Sequence, residues 1–368
     1  MSLVVVGRIA ASVALGSALL AGCARFDDSA SSPFTPEPTW HGASIKPKSP
    51  DAPPTSTTRP SGPCIDPDPA VVATCLETTG GLVTLGNSAL VAERRTGRIL
   101  QVVPEQPPIE IAKLDVDGST DGGLSDIALS PTYQEDGLLY AYITTASDNR
   151  VVRIAKGGPP KDILTGIPKG ASGNRGAIDF VSPDRMLVLT GNAGNPAAAA
   201  SSGSLAGKLL RIDSPAPGRT ADPEIAVSGI GTAGDVCRGG KDSVWITDST
   251  ATEDRLQHIG GDGTVVTAWT WPDRPGVAGC TVTADGVAIS LTRAKALALV
   301  AADANTHTVT TAPTLMAQDK YGQLGGADAS ADGTVWVSTV NKTGGQPGPF
   351  DDRVVRIPPP RAGGGSLD

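Results

Sequence analysis

Six times between residue 87 and residue 357 the chain runs through one pattern: a turn, often Asp-Gly, a short β-rich run, a polar loop, and a second run carrying basic residues at alternate positions. The segments are N-S-A-L-V-A-E-R-R-T-G-R-I-L-Q-V from Asn87, D-G-L-L-Y-A-Y-I-T-T-A-S-D-N-R-V-V-R-I from Asp136, D-R-M-L-V-L-T-G from Asp184 with G-K-L-L-R-I from Gly207, D-S-V-W-I-T-D from Asp242, D-G-V-A-I-S-L-T from Asp285, and D-G-T-V-W-V-S-T from Asp332 with D-R-V-V-R-I from Asp352. With Leu90, Leu139, Leu187, Trp245, Ala288 and Trp336 taken as equivalent, the spacing is roughly 43 to 58 residues, which is the period of propeller blades. One such unit cannot bury its apolar surface alone, so the repeats must pack against one another. Side chains alternate along a strand, so Arg150, Arg153, Arg353 and Arg356 are expected on an exposed outer strand, with valines and isoleucines between blades. No segment carries an amphipathic helix of three turns. The fold class predicted is all-β, a six-bladed β-propeller over residues 64–360, with 361–368 as a flexible tail.

A glycine-rich stretch, S-G-I-G-T-A-G-D-V-C from Ser228, contains G-x-G-x-x-G at Gly229, Gly231 and Gly234. A dinucleotide turn needs the third glycine to open a helix whose free N–H groups receive the pyrophosphate. Here a second β-branched run follows, so strand, turn and strand are expected instead.

The chain contains five cysteines, and their placement separates an export signal from the fold. Arg8 precedes an apolar stretch, Ile9 to Leu20, too short to span a bilayer and suited to a signal-peptide core. It ends in Leu20-Ala21-Gly22-Cys23, which resembles the bacterial lipobox. Residues 1–22 are therefore expected to be a lipoprotein signal peptide, with Cys23 lipidated and the protein held on the extracytoplasmic face of the cell membrane. Residues 23–63 are Pro/Ser/Thr-rich and read as a tether. The remaining cysteines, Cys64, Cys75, Cys237 and Cys280, form an even set in an oxidising compartment. Of three connectivities the local one is favoured, 64–75 and 237–280. Cys237 and Cys280 each stand seven residues before Val244 and Val287, so they are expected at the same position of facing innermost strands.

Net charge is −8 with scattered basic residues, so a nucleic-acid partner is not expected. A monomer is. Beyond the membrane, the partners considered are a sugar-like small molecule or an envelope protein.

Several stretches resemble the glucose/sorbosone dehydrogenase family of soluble quinoproteins. They are D-G-G-L-S-D-I-A-L-S-P from Asp121, E-D-G-L-L-Y-A-Y-I-T from Glu135, L-V-L-T-G-N-A-G from Leu187, S-L-A-G-K-L-L-R-I-D from Ser204 and A-D-G-T-V-W-V-S-T-V-N-K from Ala331. The resemblance implies a six-bladed propeller binding pyrroloquinoline quinone (PQQ) and calcium in its mouth, with a histidine base for sugar oxidation. The family motif H-N-G-G falls on Gly173-Asn174-Arg175-Gly176, so glycine stands in the place of the base. The chain has three histidines: His41 in the tether, His258 expected on an outer strand, and His307 in a late turn. The acidic partner of the family's base matches Asn192. The family's G-L-R-N-P-x-G segment falls on Gly229–Gly234, with no arginine, and its basic pair in the last blade falls on Gln323 and Gly325. A mouth stripped of cations is expected. Candidate mouth residues are Asp121, Asn174, Arg175, Asn192, Thr232, Gln323 and Asn341.

The stretch Asp115-Val-Asp117-Gly-Ser119-Thr-Asp121-Gly122 spaces oxygen donors like the start of an EF-hand loop but lacks the bidentate glutamate. The identity of any metal is left open, and turn-forming residues are the favoured account. The favoured functional reading is a lipid-anchored propeller that has lost redox chemistry and serves as a ligand-binding or scaffolding module. The alternative is an active PQQ-dependent aldose or sorbosone dehydrogenase with a rearranged site and Asp121 or Asp179 as base. A calcium-dependent lactone hydrolase, as other six-bladed propellers are, is disfavoured by the scarcity of histidines.

Overall fold

The computed structural model describes residue 62 and residues 64–360, apart from 219–221 and 241–242. The expected signal peptide, Cys23, the expected tether apart from residue 62, and the expected tail lie outside the described residues. Among these residues the strands assemble into six antiparallel four-stranded sheets. In chain order the six innermost strands are Thr79–Leu85, Leu124–Leu129, Gly176–Ser182, Thr232–Arg238, Val277–Thr283 and Leu324–Ala329, and each packs on the next to close a ring. They define blades 1 to 6. The predicted helix-poor architecture holds, with only short helices such as Tyr133–Asp136 and Pro196–Ala200. The glycine-rich stretch is indeed strand, turn and strand: it ends the outer strand Glu224–Ser228 of blade 3 and begins the inner strand of blade 4.

The core is divided among the seams between blades. One buried cluster joins Leu90 and Ile99 of blade 1 to Leu124, Ile127 and Ile143 of blade 2. Equivalent clusters fill the other five seams. Second strands are consequently buried on both faces: all six residues of Leu139–Thr144 are inside. Double-sided burial erases the polar phase that would set a strand's register, and the sequence reading slips by one residue there. Tyr140, not Leu139, pairs with the third-strand residue Arg153, as Trp245 pairs with His258 and Trp336 with Arg356.

Closure differs from a simple repeat as well. The outer strand of blade 6 is Val71–Ala73, which pairs with Val354–Ile357 from the other end of the propeller. Arg150, Arg153 and Arg356 lie on third strands, not outer ones, Arg353 stands immediately before one, and all four are half-buried. Arg150 binds Asp148 at 2.6 Å, Arg353 binds Asp351 at 2.9 Å, and Arg356 stacks over Trp336. His258 likewise sits on a third strand, Asp254–Gly260, and is buried.

Both expected disulfides are present. Cys64–Cys75 ties the segment that supplies the closing strand, and Cys237–Cys280 links the inner strands of blades 4 and 5 with a Cα–Cα distance of 5.8 Å. Closing 43 residues stabilises by about 4 kcal/mol on the chain-entropy account. The two cysteines are offset by one position, however. Cys237 pairs with Trp245, whereas Cys280 pairs with Ile289, one residue beyond the Trp245 equivalent, because the hairpin after Cys280 is one residue shorter.

Aspartates on the inner strands bridge the seams nearest the axis. Asp126 accepts from the Ile178 N–H at 2.8 Å, Asp235 from the Cys280 N–H at 2.9 Å, and Asp328 from both the N–H and hydroxyl of Thr84 at 2.8 Å. Asp179 takes the Arg238 guanidinium at 2.9 Å. Between blades 1 and 2 a close backbone approach takes the place of a bridge: a Cβ on Gly80 would stand 2.5 Å from the Leu124 carbonyl.

Burial raises the pKa of Asp179 to about 6 and of Asp235 to about 7, and it raises Asp126 with the Asp235 charge as a second cause. A carboxyl whose folded pKa lies above its unfolded value binds more protons when folded, so its contribution weakens as pH rises from about 4 to about 7. The thermal midpoint is therefore expected to rise when pH is lowered from 8 to 5.5. The side chain of Asp179 keeps 25% of its surface open, so the effect should fall well below the ~1.4 kcal/mol per pH unit of a full proton. Asp235→Asn, which keeps an acceptor for Cys280, should flatten the profile; calorimetry across that range showing the wild-type slope in the variant would refute this account.

Candidate functional site

Sheet geometry brings the predicted mouth residues to one end of the channel. Asp121, Asn174 and Gln323 stand shortly before inner strands, and Thr232 opens one. Asn192 and Asn341 follow the second strands Arg185–Thr190 and Val335–Thr339, which run antiparallel to their inner neighbours and exit at the same end.

Most of these groups are committed to the fold. Asp121 accepts the Gly173 N–H at 2.7 Å and the Asn174 amide at 3.0 Å. Asn174 is fully buried, giving its amide to the Gly170 carbonyl and accepting the Gly170 N–H, both at 2.8 Å. Asn341 is buried too, accepting the Gln323 N–H at 2.8 Å and donating to the Tyr321 carbonyl at 2.9 Å. Asn192 accepts from the Gly194 N–H at 2.9 Å in a local turn. Thr232 and Gln323 are half-buried. The side chains of Arg175, Thr232 and Gln323 have no hydrogen bond within the set of described residues, leaving them as the groups a ligand would meet.

The expectation of a mouth without cations is corrected. Arg94 and Arg95 follow the second strand Ser88–Glu93 of blade 1, at the same register that singled out Asn192 and Asn341, and this position was the signal that could have found them. Arg94 is buried and donates to the Thr120 carbonyl at 2.7 Å and the Gly122 carbonyl at 2.5 Å. Burial first, then the positive charges of Arg175 and Arg95, push its pKa down to about 10, while Asp121 opposes them. Arg94, Arg95 and Arg175 thus lie near enough to one another for their charges to interact, with Asp121 as the carboxylate that offsets Arg94. Burial also lowers the pKa of Arg175, with Asp121 and Asp235 opposing.

The positions where the family resemblance requires a base and cationic clamps lack space for them. Gly173 has φ +71°, and a Cβ there would lie 2.5 Å from Asn192 Oδ1 and 2.9 Å from the Gly194 nitrogen. A Cβ on Gly231 would collide with the Ser249 carbonyl, and one on Gly325 would lie 2.7 Å from Val340 Cγ1. Calcium fares no better in the 115–122 stretch. Asp117 accepts from Lys169 Nζ at 2.6 Å and from the Ser119 N–H and hydroxyl, and the Lys169 bond holds its pKa well below the usual carboxylate range.

Below the mouth the channel narrows to about 20 Å³, room for about one water. Arg175 lines this waist with Gly80, Gly81, Gly234, Asp126 and Asp235. Beyond it, toward the far ends of the inner strands, the channel opens into a cavity of about 670 Å³ lined by Asp126, Asp179, Asp235 and Asp328 together with Thr84, Arg238 and Thr281. Asp179 therefore lies on the side away from the mouth, and Asp121 already accepts from the 173–174 turn. Neither carboxylate is placed as a free base at the mouth.

Residues 76–231 match the family model described as Glucose / Sorbosone dehydrogenase. The chain is similar to the PQQ-bound form of an aldose sugar dehydrogenase from Streptomyces coelicolor, with 27% identity over 78% of this chain and 95% of that one and a TM-score of 0.70. It is also similar to a putative oxidoreductase (glucose dehydrogenase) from Thermus thermophilus, with 25% identity, 78% and 98% coverage, and a TM-score of 0.68. A soluble aldose sugar dehydrogenase from Escherichia coli, at 14% identity, 78% and 99% coverage and a TM-score of 0.64, shares the fold. No curated protein matches the chain. Fold, family match and structural similarity agree: the chain is a six-bladed propeller similar to the glucose/sorbosone dehydrogenases.

Proposed function

We propose that the protein is a non-catalytic member of this dehydrogenase-like group, a ligand-binding module of the cell envelope held at the membrane through Cys23. The observation that carries the reading is the packing around Gly173, which leaves no place for a base beside the channel. Gly231 and Gly325 likewise leave no place for the clamps a quinone carboxylate needs. Arg94 is tied to backbone carbonyls, which leaves Arg175 as a single unbonded guanidinium at the waist. The residues present do not fit PQQ, and no step through it follows. What the mouth offers is a ring of hydrogen-bonding groups, with Thr232, Gln323 and a cationic Arg175, suited to a polyhydroxylated small molecule with an acidic group. Charge-assisted hydrogen bonds favour such a ligand over a neutral sugar.

Titration of the full chain with PQQ and calcium is expected to show no saturable binding, and no aldose should reduce a dye acceptor in its presence. Sugar-dependent dye reduction would establish the dehydrogenase alternative. Gly173→His should not restore activity and should destabilise the fold by about 1 to 3 kcal/mol, from the positive φ and the crowding of Asn192; denaturant melts measure this, and an undiminished midpoint would remove the packing argument.

For the mouth, calorimetry is expected to show gluconate binding more tightly than glucose, with the preference lost in Arg175→Gly. Equal affinity for the two sugars in the wild type would show that Arg175 does not select the ligand.

The Cys23 assignment predicts that Cys23→Ala shifts the protein from the membrane to the soluble fraction and removes the acyl mass. Unchanged mass and unchanged fractionation would exclude lipidation at that residue. Among the described residues no helix is long and apolar enough to cross a membrane.

A further inference from the structure

Two of the chain's three histidines meet in a place unrelated to the mouth. His258 lies on the third strand of blade 4, and His307 lies on the connection between the third and outer strands of blade 5, Ala296–Val300 and Thr314–Met316. Their rings stack with centroids 3.6 Å apart and planes 21° from parallel. Trp245 closes the arrangement edge-on, 4.8 Å from His258 and 6.1 Å from His307. His258 is buried, and its Nε2 is 2.9 Å from the Ser243 hydroxyl.

The connection that bears His307 crosses the seam. The Val309 N–H donates to the Ala268 carbonyl on the outer strand Val265–Trp271 of blade 4 at 3.1 Å, and the Val309 side chain is buried with Trp245 and Trp271. Within the connection, the His307 N–H donates to the Asp303 carbonyl and the Asp303 N–H to the Thr308 carbonyl, both at 2.9 Å. Residues 303–309 thus form a strap from blade 5 over blade 4, and the imidazole stack is its clasp.

We infer that this strap is an acid-released element: it is fastened while the buried His258 imidazole is neutral and opens when that ring takes up a proton. The charged group recorded facing the pair among the described residues is Asp303, exposed on the strap itself, whose carboxylate already accepts from the Asn305 and Thr306 N–H groups. Ser243 and Trp245 face His258 from the second strand of blade 4, and Val266 lies opposite it on the outer strand; none carries a compensating charge. A proton on His258 would lie against the stacked ring 3.6 Å away, in a site closed by tryptophan and with no carboxylate hydrogen-bonded to it among the described residues, so the charged ring is favoured only once His307 has left. Burial, with His307 as the second cause, holds the His258 pKa below the ordinary histidine value. A lowered histidine pKa means that the open form binds more protons, so the closed strap is favoured above pH ~6.5 and loses that advantage as pH falls below it. The inner part of the same seam is held by Cys237–Cys280, which confines the opening to the outer edge.

Hydrogen exchange on the full chain at pH 7.5 and pH 5.0, corrected for intrinsic rates, tests this without depending on the proposed function. Protection over residues 303–309 should fall at least tenfold at pH 5.0, while inner strands 232–238 and 277–283 keep theirs. His258→Phe keeps an aromatic face for the His307 ring while removing the buried imidazole, and should hold the strap closed at both pH values. Equal wild-type protection at the two pH values would overturn the inference, as would an undiminished acid loss in the variant. Should that variant not fold, NMR titration of the wild-type imidazoles decides: a midpoint for His258 below ~6.5 is expected, and an ordinary midpoint for that ring would refute the clasp.

Discussion

The seam nearest the axis is the constraint from which the rest follows. An innermost strand pairs with one neighbour in its own sheet and turns its other edge toward a channel, where its amide and carbonyl groups would be orphaned. The carboxylates of Asp126, Asp235 and Asp328 answer this by reaching across to the backbone or hydroxyl of the next blade. Glycine is needed wherever the backbones themselves close the gap, as at Gly80 and Gly279, where a Cβ would strike the neighbouring inner strand. The result is a ring whose lumen is lined by carboxylates held there for structural reasons. Their raised pKa values express burial and the proximity of like charges rather than catalytic tuning.

The two ends of the channel consequently differ in origin. The wide cavity is walled by strand interiors, so its acidity is a by-product of stapling the blades. The mouth is built from turns, before inner strands and after second strands, outside the apolar clusters that fill the seams. That separation explains how the chain keeps the propeller while Gly173, Gly231 and Gly325 stand where the dehydrogenase resemblance asks for a base and cations. It also explains why Arg175 could enter beside Asn174: the asparagine carries the turn's hydrogen bonds, and its neighbour is left to point into the channel.

The sequence showed the repeat, its length and both disulfides because those depend on turn spacing and cysteine count. It showed phase poorly. Leu139–Thr144 is buried on both faces, so alternation could not distinguish Leu139 from Tyr140 as the equivalent of Trp245. The cysteine offset arose from one residue of hairpin length, invisible without pairing. Val71–Ala73 was hidden for a different reason: three residues carry no periodicity, and their partner lies at the other end of the chain. At the mouth, position could be read from strand order but commitment could not. Asp121, Asn174 and Asn341 looked available for a ligand until their backbone partners were visible, whereas Arg94 and Arg95 stand within the first repeat segment, where nothing in the sequence marks them as mouth residues.

Charge makes the central ring and the peripheral clasp oppose one another. Acidification toward pH 5 neutralises Asp179 and Asp235 and tightens the seams at the axis, while the same change favours protonated imidazoles and loosens the strap at the edge of blades 4 and 5. A global melt sums the two with opposite signs, and the seams dominate it because a strap that has already opened no longer contributes to the cooperative unit. Because one effect acts through the central seams and the other through a single loop, a rigid hub with a releasable rim is the state expected in mildly acidic surroundings, and the disulfide between Cys237 and Cys280 is what keeps the two from being mechanically coupled.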